Sequence, residues 1–157
     1  MAVRKLMPPA IDPASLPESK GVTSYPEPFR AMVAGRMRRV LGETLGLKNF
    51  GVNLSRLDPG AYSSARHWHS LEDEFVYVLE GEVTLITDEG EQTLTAGMAA
   101  GFPAGKPNGH HLVNRGSRIA TYLEIGDRRP GDEVTYPDID LELRWARRFR
   151  HKDGRPY

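Results

Sequence analysis

Between residues 36 and 126 the chain runs in short segments rich in Val, Leu, Thr, Tyr and Phe, cut by clusters of Gly, Pro, Asp and Asn. In a strand, successive side chains point to opposite faces, so short apolar runs between turn residues read as strands. The pattern predicts strands near Arg36–Leu41, Leu47–Leu57, Glu74–Leu79, Val83–Thr87, Glu91–Leu94, Met98–Phe102, His110–Asn114 and Ile119–Ile125. The breaks fall at Asp58-Pro59-Gly60, Gly81, Asp88-Glu89-Gly90, Gly97, Pro103 to Gly109 and Arg115-Gly116-Ser117. The stretch TDEGEQ reads as a hairpin turn. No long helical period interrupts this region, and many short strands at regular spacing predict an all-β sandwich or small antiparallel barrel.

The ends differ from this middle. Six of the twelve prolines lie in residues 1–28. Proline fixes φ and removes a donor, so residues 1–35 are expected to form an extended arm, exposed to solvent or laid on a neighbouring subunit. In the tail, residues 127–157, Leu141, Trp145 and Phe149 fit a helical period, while Leu141, Leu143 and Trp145 fit a strand. The pattern leaves both open. Arg144, Arg147, Arg148 and Arg150 read as a solvated face.

Within Glu74–Leu79, Val76 and Val78 share the face of Glu74, and Phe75, Tyr77 and Leu79 share the other. Both faces are apolar, so both are expected to be covered: one by the barrel interior, the other by the arm, the tail or a partner subunit. A homodimer is the expectation.

Composition narrows the function classes. A chain of 157 residues suits one domain that folds without a staple. Its 21 basic and 21 acidic residues cancel, which argues against nucleic acid or a membrane surface as partner. Without cysteine there is no disulfide, thiolate cluster or Cys nucleophile. No apolar run has the length of a membrane span or signal sequence, so a cytoplasmic protein is the expectation.

The chemistry concentrates in two stretches, which hold four of the five histidines. His67 and His69, two apart, can aim both imidazoles at one point, with Trp68 turned away. Glu74 opens the next strand and can reach the same point. Imidazole and carboxylate together suit Fe, Mn, Ni, Zn, Co or Cu, with open positions for water or substrate. Arg66 shares the parity of Trp68 and reads as a surface residue. Tyr62, Ser64, Phe102, Tyr122 and Glu124 lie near enough to line a pocket, Glu124 being the best spare general base.

The glycines sharpen the pattern. The first stretch reads Gly60, six residues, His67, one residue, His69, four residues, Glu74, six residues, Gly81. The second reads Gly97, five residues, Pro103, one residue, Gly105, four residues, His110, three residues, Asn114. Over roughly residues 47–126 this strongly resembles the two motifs of the cupin superfamily, with one extra residue in the Gly60–His67 gap and two in the Gly105–His110 gap. The whole chain is similar to small single-domain bacterial cupins that end in a His-Lys-Asp-Gly-x-Pro-Tyr tail.

The resemblance implies an antiparallel barrel, the double-stranded β-helix or jelly roll, over residues 36–126. It implies a divalent transition metal held by His67, His69, Glu74 and His110. Glu72 and Asp73 break the motif spacing and are expected to be exposed loop acids. His111 falls on the opposite strand face from His110 and is expected outside the ligand set. The family includes isomerases, epimerases and lyases that use Lewis-acid chemistry, dioxygenases, and barrels that only bind or sense a small molecule. A metal-dependent enzyme acting on a small oxygenated metabolite is therefore expected.

Overall fold

The computed structural model of the chain describes residues 6–144 and 148–157. Its strands are β1 (Ser19–Lys20), β2 (Arg36–Val40), β3 (Phe50–Leu57), β4 (Trp68–His69), β5 (Glu74–Glu80), β6 (Glu82–Thr87) and β7 (Gly90–Thr95). They continue with β8 (Ala99–Phe102), β9 (His111–Val113), β10 (Ala120–Asp127), β11 (Val134–Tyr136), β12 (Leu141–Arg144) and β13 (Arg148–Arg150). Each of the eight predicted strands has its counterpart. The start of the second moves from Leu47 to Phe50 because the chain first makes one helical turn, α1 (Leu41–Thr44), where Thr44 Oγ1 donates to the Val40 carbonyl.

Pairing is antiparallel throughout, in a six-stranded sheet ordered β1-β2-β3-β10-β5-β8, a four-stranded sheet β13-β12-β11-β4 and a three-stranded sheet β7-β6-β9. Strands β5 and β6 are joined by Gly81 alone, at φ 73°. A Cβ there would also come within 3.1 Å of the Ile119 carbonyl oxygen. Both the left-handed conformation and the close approach demand glycine at this corner.

The main core lies between the six- and three-stranded sheets. Leu57, Val76, Val78 and Tyr122 meet Val83, Leu85, Leu94 and Leu112 across the barrel. Each fully buried aliphatic side chain contributes about 1.5–3 kcal/mol relative to exposure. Asn114 is wholly buried: its Nδ2 donates to the carbonyls of Leu57 and Arg118, and its Oδ1 accepts from Gly116 N. The last residue of the second motif is thus a staple for the turn that follows it.

A second core joins the two ends of the chain. Tyr25 and Val33 of the arm pack with Ala65, Val134, Tyr136, Leu141 and Leu143. The Tyr25 ring meets the Tyr136 and Phe149 rings edge-on, each at 5.8 Å. The arm therefore lies on its own chain's tail. Tail residues Leu141 and Leu143 alternate inward as a strand, paired with β13; Trp145 and Arg147 lie outside the described residues. This second core sits directly beneath the histidine loop, since Ala65 N donates to the Tyr25 hydroxyl.

Candidate metal centre

The site is assembled by backbone pairing between segments distant in sequence. His67 and His110 form an isolated antiparallel bridge, His110 N donating to the His67 carbonyl at 2.9 Å and His67 N to the His110 carbonyl at 3.2 Å. His69 is fixed by the pairing of β4 with β11. Glu74 opens β5 opposite Phe102 on one side and Gly126 on the other.

These positions converge on the Glu74 carboxylate. Its Oε2 lies 2.7 Å from His110 Nε2 and 3.3 Å from His67 Nε2; its Oε1 lies 3.6 Å from His69 Nε2. The His67 and His110 rings are 4.8 Å apart, centre to centre. Bonds of about 2.0–2.2 Å to one ion place neighbouring donors roughly 3–3.5 Å apart, so this set fits a divalent metal. His67, His69 and Glu74 offer donor atoms all within 4.8 Å of one another, and His110 joins them through Glu74.

The far nitrogen of each ring decides what the near one can do. His67 Nδ1 donates to the Ala65 carbonyl at 2.8 Å, and His69 Nδ1 to Asp132 Oδ2 at 2.6 Å. A neutral imidazole with its hydrogen on Nδ1 presents a lone pair at Nε2, the form a metal requires. The His110 ring stacks on Phe102 at 3.6 Å, almost coplanar.

Charge and burial compete here. Burial alone would raise the Glu74 pKa, but the neighbouring His67 charge and the hydrogen bonds from His110 and His67 prevail and hold it well below the carboxylate range. Burial disfavours protonated His67, yet Glu74 overcomes that and raises its pKa. For His110, burial outweighs the Glu74 hydrogen bond and the pKa falls.

A cavity of about 610 Å³ opens beside this cluster, within the range of small-molecule sites. Its wall includes Arg36, Arg38, Asn53, Tyr122 and Glu124. Arg38 Nη2 reaches Glu124 Oε1 at 2.5 Å, and Asn53 Nδ2 donates to the same oxygen at 3.0 Å. Arg36 is buried, donating to the carbonyls of Ser63 and Val22. The Tyr122 hydroxyl is held in its protonated form by burial, reinforced by the Glu124 charge.

Not every residue sits where the sequence suggested. Ser64, Phe102, Tyr122 and Glu124 line the cavity, whereas Tyr62 is absent from its wall and lies against the His111 ring at 5.4 Å. His111 also borders the cavity, but its Nδ1 donates to the Ser64 carbonyl, and it is His110 that meets Glu74. Arg66 turns away to pair with Asp138 and Asp88. Asp73 is an exposed loop acid that accepts from Ala104 N. Glu72 is not one: it is buried, 3.6 Å from His69 Nδ1, and accepts from Arg129 N. The reason is that residues 127–133 fold back over the loop that carries it.

Sequence reasoning missed Arg38, Asn53 and Asp132. Arg36 and Arg38 stand two apart on a predicted strand, the signal for a shared face. Asp132 carries no such signal, being 63 positions from the histidine it touches.

Comparison with known proteins bears on the fold and the family. The family model for the cupin domain matches residues 53–126. A sugar phosphate isomerase of the cupin superfamily from Silicibacter pomeroyi is 43% identical, with 95% of this chain and 96% of that one covered and a TM-score of 0.89. A candidate sugar phosphate isomerase from Acidithiobacillus ferrooxidans is 33% identical, with 73% and 74% covered and a TM-score of 0.69. The polyketide cyclase RemF from Streptomyces resistomycificus, 21% identical with 85% and 87% covered and a TM-score of 0.68, shares the fold. No curated protein matches the chain significantly. Among the described residues no helix is long and apolar enough to cross a membrane. With both motifs converging in one barrel and a relative matched along nearly its whole length, the chain belongs to the cupin superfamily.

Proposed function

We propose that the chain is a metal-dependent isomerase acting on a phosphorylated sugar. The observation that carries this reading is the juxtaposition of Glu124 and the His67–His69–Glu74–His110 cluster around one polar cavity of about 610 Å³. The two similar proteins described as sugar phosphate isomerases support the substrate class.

A divalent ion held by His67, His69, Glu74 and His110 would supply Lewis-acid polarisation of the sugar carbonyl. The chain's own residues do the rest. Arg38 and Asn53 both engage Oε1 of Glu124, which leaves Oε2 to take a proton from the carbon next to the carbonyl and return it to the neighbouring carbon. Arg38 and Arg128, both in the cavity wall, provide positive charge for a phosphate. With such a substrate the protein belongs in the cytoplasm, where sugar phosphates occur.

The test is turnover of a panel of phosphorylated aldoses and ketoses by protein loaded with Mn or Zn under strict anaerobiosis. Isomerisation is expected, and Glu124→Gln should lower kcat by about 10²–10⁴-fold with metal content unchanged. Oxygen uptake instead of isomerisation would favour a dioxygenase; tight sugar binding without turnover would favour a binding module.

We further propose a homodimer. On the outer face of the six-stranded sheet Phe75, Ile125 and Val52 form one cross-strand row, and Tyr77, Leu123 and Leu54 the next. Phe75, Tyr77 and Leu79 are 39–45% exposed; the arm reaches this sheet only at its far edge, where β1 pairs with β2 and Glu18 meets Arg39 and Arg56, and the tail packs in the second core. An exposed apolar sheet face of this kind can pair with itself about a two-fold axis, and we take a second copy as its occupant.

A further inference from the structure

Behind His69, on the side away from Glu74, lies a buried carboxylate that the cupin motifs do not include. Asp132 belongs to the connection between β10 and β11, beyond the last motif residue. Its side chain is 3% exposed. Oδ2 lies 2.6 Å from His69 Nδ1. Oδ1 accepts from Leu71 N at 2.8 Å and Glu72 N at 3.2 Å, with Ser70 Oγ at 3.3 Å. The loop that separates His69 from Glu74 is thus wound around one carboxylate from the tail.

His69, Glu72 and Asp132 also lie close enough to suggest a second cation site. The hydrogen bonds argue otherwise. Both Asp132 oxygens are already taken, Oδ2 by His69 Nδ1 and Oδ1 by donors from the loop, and a cation there would have to displace them.

We propose that Asp132 is the positioning residue of the metal centre. This rests on the metal-dependent reading above. Asp132 holds the hydrogen of His69 on Nδ1, so that the Nε2 lone pair faces Glu74. A carboxylate can only accept, so the ring nitrogen opposite Oδ2 must be the donor. The rotation of the ring is fixed by the same bond, and the spacing of His69 from Glu74 by the bonds on Oδ1. An outer carboxylate of this kind typically sets metal affinity within about 10–100-fold.

Asp132→Asn separates position from proton. The two backbone amides keep the asparagine oxygen in the place of Oδ1, so its NH₂ replaces Oδ2 and faces Nδ1 as a donor. With a donor in place of Oδ2, His69 is expected to carry its hydrogen on Nε2, the nitrogen meant for the metal, since its other carboxylate neighbour, Glu72, lies beyond hydrogen-bond distance at 3.6 Å. The shape of the side chain is unchanged, so a role limited to packing would leave the tautomer alone.

The experiment uses the full chain with ¹⁵N-labelled histidine and Co²⁺ or Zn²⁺ as the probe. In metal-free wild type near pH 7.5, long-range ¹⁵N–¹H spectra should show His69 with its hydrogen on Nδ1; in Asp132→Asn, on Nε2. Competition with a chromophoric chelator should show metal affinity weakened about 10–100-fold in the variant. A wild-type His69 protonated on Nε2 overturns the proposal, even if the variant does not fold. Equal affinities within about threefold in a folded variant overturn it too, while the metal-dependent reading stands. A wild type that takes up no metal overturns both.

Discussion

The two faces of β5 make a natural experiment in burial. Glu74, Val76 and Val78 point inward and Phe75, Tyr77 and Leu79 outward, on one backbone, one residue out of phase. Val78 is fully buried, while Tyr77 beside it is 39% exposed. By side-chain character alone the outer face is the more hydrophobic, yet the charged residue is inside. A carboxylate among imidazoles lowers its own cost because each partner stabilises the ionised form, as the depressed Glu74 pKa shows. The outer aromatics have no such compensation within the chain. Apolar character thus names a face to be covered; which neighbour covers it, a sheet or a second copy, depends on where distant strands go.

The largest expected effect falls on the inner face. Glu74→Ala and His69→Ala should each take metal content from near-stoichiometric to background by elemental analysis, a greater loss than the roughly 100-fold upper range for an outer partner. Metal retained in both variants would mean that the inner face is merely a polar core. Deeper in the same face, Leu57→Ala should destabilise the protein by about 2–5 kcal/mol in chemical denaturation, because the packed barrel cannot collapse onto the void.

A pH titration sharpens the comparison next. Metal requires neutral imidazoles, and His67 holds its proton above the ordinary value of 6.5 despite burial, because of the Glu74 charge. Affinity should therefore fall as pH drops, beginning above 6.5, by up to about tenfold per pH unit for one displaced proton. Chelator competition between pH 5.5 and 8 measures this; a flat profile would contradict it.

The smallest change in folding stability is expected on the outer face. Tyr77→Ser should alter unfolding of the separated monomer by no more than about 0.5 kcal/mol. The same change should convert a dimer to a monomer in light scattering at micromolar concentration. A wild type that is already monomeric would show that this face stands open to solvent.

Much of the barrel was legible in the sequence. Val76 and Val78, Leu112 and Asn114, and the turns at Gly81 and Gly97 follow from period-two alternation and from backbone positions that favour glycine. Alternation also sets His110 and His111 on opposite faces, but preferring His110 took the motif spacing to Asn114; in the structure it is His110 that meets Glu74. The tail was not legible. Leu141, Leu143 and Trp145 satisfied two periods at once, and only the pairing with neighbouring strands decides for Leu141–Arg144. Glu72 was misread for a related reason: nothing near it in sequence says that residues 127–133 cover it. The arm's place was equally hidden, since the partners of Tyr25 are Tyr136 and Phe149, more than a hundred positions away.

The sequence by itself determined the strands and the parity of their side chains, because these are set by local backbone geometry; the four candidate ligands came from the resemblance of its two motifs to the cupin pattern. The tertiary structure decided that those four side chains meet, that Arg38 and Asn53 grip Glu124, and that Asp132 stands behind His69. Those contacts join residues dozens of positions apart, and their distances are fixed by strand register and core packing rather than by any local preference of the chain.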